Sequence, residues 1–200
     1  WCSWLEFRRV LFRSHINNIV AKALQWSSTL FRGFVSRNLQ LMRKAFVTYI
    51  RPILEYNSIL WSPNLVYLIN LIESVQRKFT KRITSLSSLP YSSRLNILNL
   101  QSLELRRLLI DLTNYFKILN GMSPLTHTDY FLIYNPITTT RSISPSLLKP
   151  LHASSNISSS FFYRSVDAWN YLPSTIKLST SLQSFKSAIK HVDLSAFLKC

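Results

Sequence analysis

A chain of 200 residues that is 47% hydrophobic and 13% aromatic can bury a real core, which sets intrinsic disorder aside. Its two glycines are too few for glycine-cradled phosphate loops, nucleotide fingerprints or β-rich folds full of tight turns. Twenty-four Lys and Arg against eight Asp and Glu give a formal net charge of +16, which calls for a polyanionic partner, nucleic acid first and an anionic membrane surface second.

No apolar run reaches the roughly 18 residues of a bilayer span, so no membrane-spanning segment is expected. Cys2 and Cys200 lie at opposite ends, offer neither a disulfide framework nor metal-ligand spacing, and suit a reducing compartment. The first fourteen residues, through Leu5-Glu6-Phe7-Arg8-Arg9-Val10-Leu11-Phe12-Arg13-Ser14, resemble translated sequencing-adapter read-through and are expected to stand outside the fold. The alternative is a genuine basic amphipathic start to the first helix. Setting them aside removes three of the 24 cations and one of the eight acids, and the remaining +14 keeps the basic character.

From His15 to about Val35, Ile16, Ile19, Val20, Ala23, Leu24, Leu30, Phe31 and Phe34 recur at helical steps. A second helix is expected over Leu39 to Tyr49, with Leu39, Met42, Ala45, Phe46 and Tyr49 inward, and Pro52 should hold Arg51 extended. The apolar stretch from Arg51 to Trp61 reads as a buried helix or connector. Ser62-Pro63 has the form of an N-cap with proline at the first helical position, predicting a long helix to about Thr84. Its core stripe would be Leu65, Leu68, Ile72, Val75, Phe79 and Ile83. Arg77, Lys78, Lys81 and Arg82 then share one flank, an arc of roughly 140° at about 100° per residue.

Leu86 to Ser93 reads as a connector and Arg94 to Leu100 as at most two turns. Ser102 opens a strong helix to Asn120, with Leu105, Leu108, Leu109, Leu112, Phe116 and Leu119 inward and Gly121 placed for a left-handed C-cap. Beyond Pro124, the prolines at 136, 145 and 150 and a Ser/Thr-rich run interrupt every periodicity. Order resumes from Phe161 to Tyr171, and Thr180-x-x-Gln183 has the pattern of a capping box opening a last helix with Leu182, Phe185, Ile189 and Val192 on one face. The expected fold is all-α: a helical domain over 15–120, a Pro/Ser/Thr-rich linker over 121–154, and a smaller helical segment over 155–200.

No site for chemistry emerges from these residues. Two-metal phosphoryl transfer needs paired carboxylates holding two metal ions about 4 Å apart, yet the acids Glu6, Glu55, Glu73, Glu104, Asp111, Asp129, Asp167 and Asp193 include no adjacent pair and no Tyr-x-Asp-Asp. His15, His127, His152 and His191 lack metal-ligand spacing, and no serine sits in a Gly-x-Ser-x-Gly elbow. No catalytic residue, metal ligand or cofactor is assigned. Glu55, Glu73 and Asp111 are expected to form structural ion pairs with arginines such as Arg51. Trp61 and Trp169 are expected in the core rather than as base-stacking platforms.

A series of segments in order then carries a resemblance. It runs through His15-Ile16-x-x-Ile19-x-x-Lys22-Ala23, Tyr49-Ile50-Arg51-Pro52-Ile53-Leu54-Glu55-Tyr56, Trp61-Ser62-Pro63, and Ile72-Glu73-Ser74-Val75-Gln76-Arg77-Lys78-Phe79-Thr80-Lys81-Arg82-Ile83. It continues in Tyr91-x-x-Arg94-Leu95, Leu103-Glu104-x-Arg106-Arg107, Asp111-Leu112-x-x-Tyr115-x-Lys117-Ile118-Leu119-x-Gly121, Thr140-Arg141, Phe161-Phe162-x-Arg164, Trp169-Asn170-x-Leu172-Pro173 and Phe185-Lys186. Over about 175 residues the chain resembles the post-palm region of non-LTR, jockey-like or LINE-type retrotransposon reverse transcriptases.

The resemblance implies a thumb and downstream helical segment without the finger-palm polymerase and its metal-binding aspartates, so no activity is expected of this chain alone. A divalent metal would belong only to the missing palm. The implied partners are the template–primer duplex and that finger-palm domain, and the implied setting is intracellular, in cytoplasm and nucleus. In such a thumb, Arg77, Lys78, Lys81 and Arg82 would meet successive backbone phosphates, with Arg94, Arg106 and Arg107 extending the patch. The alternative is a stand-alone basic helical module whose charged face binds protein or an anionic membrane.

Overall fold

The computed structural model describes residues 2–127, 131–134, 146–149 and 160–200, with the backbone alone at 2–10 and 134. It is an all-α structure carrying one small two-stranded sheet. The chain divides into two compact units, 1–106 with 199–200, and 107–198. That boundary lies inside the helix expected to end the first domain, rather than after it.

In the first unit, α1 (Cys2–Gly33) buries Ile16, Val20, Ala23, Leu30 and Phe31 on one stripe. Its backbone is helical through the segment expected to stand outside the fold, and Phe12 packs against the core. The second helix, α2 (Leu39–Ala45), is capped by Asn38, whose side chain accepts from the Gln40 N–H at 2.9 Å. It runs into a π-helical turn, Phe46–Ile50, closed by the Arg51 N–H bonding to the Phe46 carbonyl. The wider turn changes which residues face inward. Phe46 and Ile50 are buried, and Tyr49, expected inside, is exposed.

The same turn explains why Pro52 does not break the chain. Arg51, expected extended, is helical at φ −57°, ψ −41°, and begins α3 (Arg51–Glu55). A proline destabilises an α-helix by losing a donor and by clashing with the carbonyl four residues back, and a π turn has already displaced that carbonyl. Asn57 in the left-handed region at φ 52° reverses the chain into α4 (Ser58–Trp61). Ser62-Pro63, expected to open a helix, closes this one instead: the residue before proline is driven extended, and Ser62 sits at ψ 121°. The long helix α5 (Val66–Lys81) therefore starts three residues later than expected and leaves Leu65 largely exposed.

A 3-10 turn (Thr84–Leu86) leads to α6 (Tyr91–Leu98), which ends on Asn99 at φ 47°. Packed together, α1, α3, α5 and the π turn enclose Met42, Phe46, Leu54, Ile72, Val75 and Phe79, while α6 lies against α2 and α5. α7 (Leu103–Leu119) begins as expected, with the Ser102 hydroxyl accepting from the Leu105 N–H at 3.2 Å.

The second unit takes α7 from Arg107 onward. The helix closes in a Schellman arrangement: Met122 N–H bonds to the Lys117 carbonyl at 2.8 Å and Gly121 N–H to that of Ile118 at 3.2 Å. Gly121 stands at φ 64°, where a Cβ would meet no atom but would strain the backbone. Gly121→Ala is therefore expected to cost about 1 kcal/mol, from conformation alone. A chemical denaturation midpoint that does not move would refute this.

Within the expected linker, β1 (Leu132–Tyr134) pairs antiparallel with β2 (Ser146–Leu148), Ile133 opposite Leu147. Residues 128–130, 135–145 and 150–159 lie outside the described residues. Four helices follow: α8 (Phe161–Arg164), α9 (Val166–Tyr171), α10 (Ser174–Lys177) and α11 (Leu182–Ile189), before a 3-10 turn at Ser195–Phe197. The cap of α11 is Ser181, one residue later than expected, its hydroxyl accepting from the Ser184 N–H at 3.1 Å.

An aromatic core fills this unit. Tyr115 meets Phe131, Phe161 and Trp169 at ring separations of 4.9, 5.2 and 6.1 Å, and Phe116 stacks on Phe185 at 4.4 Å. The Asn170 side chain bonds both the N–H and the carbonyl of Leu147, tying α9 to β2 as a neighbouring strand would.

Candidate nucleic-acid interface

Leu68, Ile72, Val75 and Phe79 recur on α5 at steps of four, three and four, so one stripe of the helix is buried; the flank on one side of it, with Ile69, Glu73, Gln76 and Thr80, is buried too, and the flank on the other side faces water. Arg77, Lys78, Lys81 and Arg82 occupy that flank and are all exposed, as the spacing predicts. They also lie in the last turns of the helix, where unsatisfied carbonyls favour positive charge. Two are steadied by rings: the Arg82 guanidinium lies 4.2 Å from the Phe31 centroid and that of Arg77 5.1 Å from Tyr91. Stacking holds the plane of a guanidinium and leaves its edge donors directed outward. Neither Phe31 nor Tyr91 stands out in the sequence as a platform, because each also satisfies the pattern of a core residue.

The ion pairs of the described residues leave these four cations out. Glu55 takes Arg106 and Arg51, Asp111 takes Arg164, and Asp167 takes Lys149. Other acids serve the backbone: Glu104 accepts from the N–H groups of Lys199 and Cys200, and Asp193 from that of Ser195. The pairing expected for Glu55 and Asp111 is present. Glu73 differs, because its buried carboxylate accepts from the Tyr91 hydroxyl and from the Leu103 N–H at 2.9 Å, capping the start of α7. Gln76 completes the network, donating to the Tyr91 hydroxyl and to the Gln101 carbonyl, each at 3.0 Å. Burial first, and then the neighbouring Glu73 carboxylate, push the Tyr91 hydroxyl well above the usual phenol range, so it stays a donor.

The three arginines expected to extend the patch turn inward. Arg94 is buried, donates to the Arg77 carbonyl at 3.0 Å and lies over Tyr91. Its spacing from Tyr91 and Leu98 on α6 puts all three on one inner face, a signal that its charge obscures. Arg106 is held by Glu55 through Nε and through Nη2, the latter at 2.9 Å from Oε2, so two of its five donors are taken and its charge is paired. Arg107 is buried in the second unit, where its charge acts on Asp111. Of the seven residues expected to contact phosphate, the four on α5 are thus the exposed ones.

Trp61 and Trp169 are buried, as expected, and His15 leans on Trp61 at 5.3 Å. His152 and Asp129 lie outside the described residues. Among the described residues no three His, Cys, Asp or Glu side chains converge as a metal site would require, and no helix is long and apolar enough to cross a membrane.

Fold and surface together define an all-α protein with a cationic flank on the amphipathic helix α5 of its first unit. No family model matches the chain, and no solved structure matches it. It is similar to an uncharacterized protein of Caenorhabditis elegans, 30% identical over 113 residues, which is 55% of this chain. The match spans 57% of that relative's length.

Proposed function

We propose that the chain is a non-catalytic, nucleic-acid-gripping part of a reverse transcriptase encoded by a non-LTR mobile element, acting inside the cell, in cytoplasm and nucleus. The observation that carries this reading is the exposed quartet Arg77, Lys78, Lys81 and Arg82, left out of the described ion pairs while six acids are engaged elsewhere. The ordered segments resembling a LINE-type thumb support it further. The quartet would hold the sugar-phosphate backbone of a template–primer duplex and supply grip, while the chemistry would belong to a finger-palm domain of the same polyprotein.

Salt dependence tests this directly. Four phosphate contacts, each contributing about 0.9 to the logarithmic salt slope, weaken binding about a hundredfold between 50 and 200 mM salt. Changing Arg77, Lys78, Lys81 and Arg82 to alanine should flatten that slope by three to four. Fluorescence anisotropy with a labelled RNA–DNA duplex reads both. Absent or salt-insensitive binding would overturn the proposal in favour of a helical module that docks on protein or an anionic surface.

A further inference from the structure

Between α1 and α5 lies a cavity of about 350 Å³ lined by Leu24, Ser27 and Ser28 from one helix and Lys78, Lys81 and Arg82 from the other. Each trio is spaced i, i+3, i+4, so each is the set of side chains a helix projects from one spot on its surface. We propose that this notch seats one phosphodiester group of a bound strand. Lys78, Lys81 and Arg82 compensate its charge, and the Ser27 and Ser28 hydroxyls donate to its non-bridging oxygens. The inference rests on the nucleic-acid reading of the flank and adds to it a particular seat and two uncharged contacts on a different helix.

Five observations carry it. The mouth carries three cations and the facing helix contributes two serine hydroxyls beside Leu24, donors of the kind a tetrahedral oxyanion accepts from. Arg82 is already positioned, stacked on Phe31 with Nη1 3.5 Å from the Ser28 Oγ. Ser28 accepts in that contact and keeps its own hydrogen to donate. Ser27 is only 3% exposed although it lines the cavity, so an anion reaching it leaves most of its water behind, where charge-assisted hydrogen bonds are stronger. At about 30 Å³ for each water, the space admits a phosphate group with bridging waters. Arg77 does not line the notch but continues the same flank, as a chain of phosphates requires and a lone anion does not.

The test uses the whole 200-residue chain and a labelled RNA–DNA duplex. Ser27→Ala with Ser28→Ala removes no charge and should weaken binding about tenfold, the loss expected for hydrogen bonds to a charged group, with an unchanged salt slope. Ser28→Glu, which puts a carboxylate in the notch, should weaken it about a hundredfold, whereas Ser36→Glu, an equal change of net charge elsewhere, should stay within about threefold. Circular dichroism melts establish that each variant is folded. Serine variants that bind the duplex like the parent would overturn the seat and leave the flank reading standing, while a parent with no salt-dependent duplex binding overturns both. Serine-dependent competition by millimolar inorganic phosphate, or serine-dependent binding to phosphatidylserine vesicles with none to duplex, would assign the notch to a free anion or a lipid headgroup and overturn the strand assignment.

Discussion

Phe79→Ala is expected to destabilise the first unit by about 3–5 kcal/mol, the cost of removing a buried aromatic side chain and leaving a void that cannot fully collapse. Phe79 is 1% exposed and meets Phe31 and Phe46, each at a ring separation of 5.0 Å. Those rings come from α1 and the π turn, so a single truncation loosens three elements. Phe31 is also the platform under Arg82. When Phe31 relaxes toward the void, that guanidinium loses its fixed plane, and duplex affinity should fall at temperatures where the protein is still folded. Phe79→Leu keeps most of the volume and should cost under about 1.5 kcal/mol. Urea denaturation separates the two variants, and similar midpoints for both would show that the three-ring contact does not hold this core.

How far such a core can be read from sequence depends on whether polar side chains obey the apolar pattern. On α5 they do for the stripe from Leu68 to Phe79 and the flank from Arg77 to Arg82, which follow directly from helical spacing and are both present, but not for Glu73, Gln76 and Thr80, which are buried beside that stripe. On α7 they do not. Of the residues that hydrophobicity points inward, Leu112 and Phe116 are fully buried while Leu105, Leu108, Leu109 and Leu119 are half-buried, and the buried positions also include Leu103, Arg107, Asp111, Tyr115 and Ile118. Two of those are charged, so a count of apolar residues selects a neighbouring face and turns Arg107 outward. The π turn is illegible for a different reason. No residue in Phe46–Ile50 demands it, and the clue, a proline that does not end a helix, reads in sequence as an extended break. The β1–β2 pair is shorter than any periodicity can register, three residues on each side. Of the candidate site, four cations were legible, and the two serine hydroxyls facing them were not, because Ser27 and Ser28 acquire meaning only when α1 and α5 are brought together.

The largest effect expected in the second unit comes from its buried ion pair. Arg164 holds Asp111 in two parallel bonds of 2.7 Å, and the Ser165 hydroxyl donates to the same carboxylate at 3.1 Å. Asp111 is 2% exposed, and burial pushes its carboxyl above the ordinary range against the opposing pull of Arg164, Ser165 and Arg107. Taking Arg164 away leaves the buried carboxylate with only the Ser165 hydroxyl and the charge of Arg107 to offset its burial, so Arg164→Met should cost about 3 kcal/mol near neutral pH and lower the melting temperature by about 10 °C. The sign of the pH dependence follows from the raised carboxyl. In the window above the usual carboxylate pKa, the native state holds more protons at Asp111 than the unfolded chain does, so this group's contribution to stability falls as pH rises. Removing Arg164 raises that carboxyl further and widens the window. The gap between Arg164→Met and the parent should therefore narrow on acidification from pH 7 toward pH 5, as the stranded carboxylate takes up a proton. Asp111→Asn with Arg164→Met, which removes both charges, should recover part of the loss, and its own stability should lose the pH dependence that Asp111 contributes. Thermal melts across that range decide the matter: a gap that widens toward acid, or a double variant no better than the single one, would mean that the cost comes from lost packing around Arg164 and not from the carboxylate it neutralises.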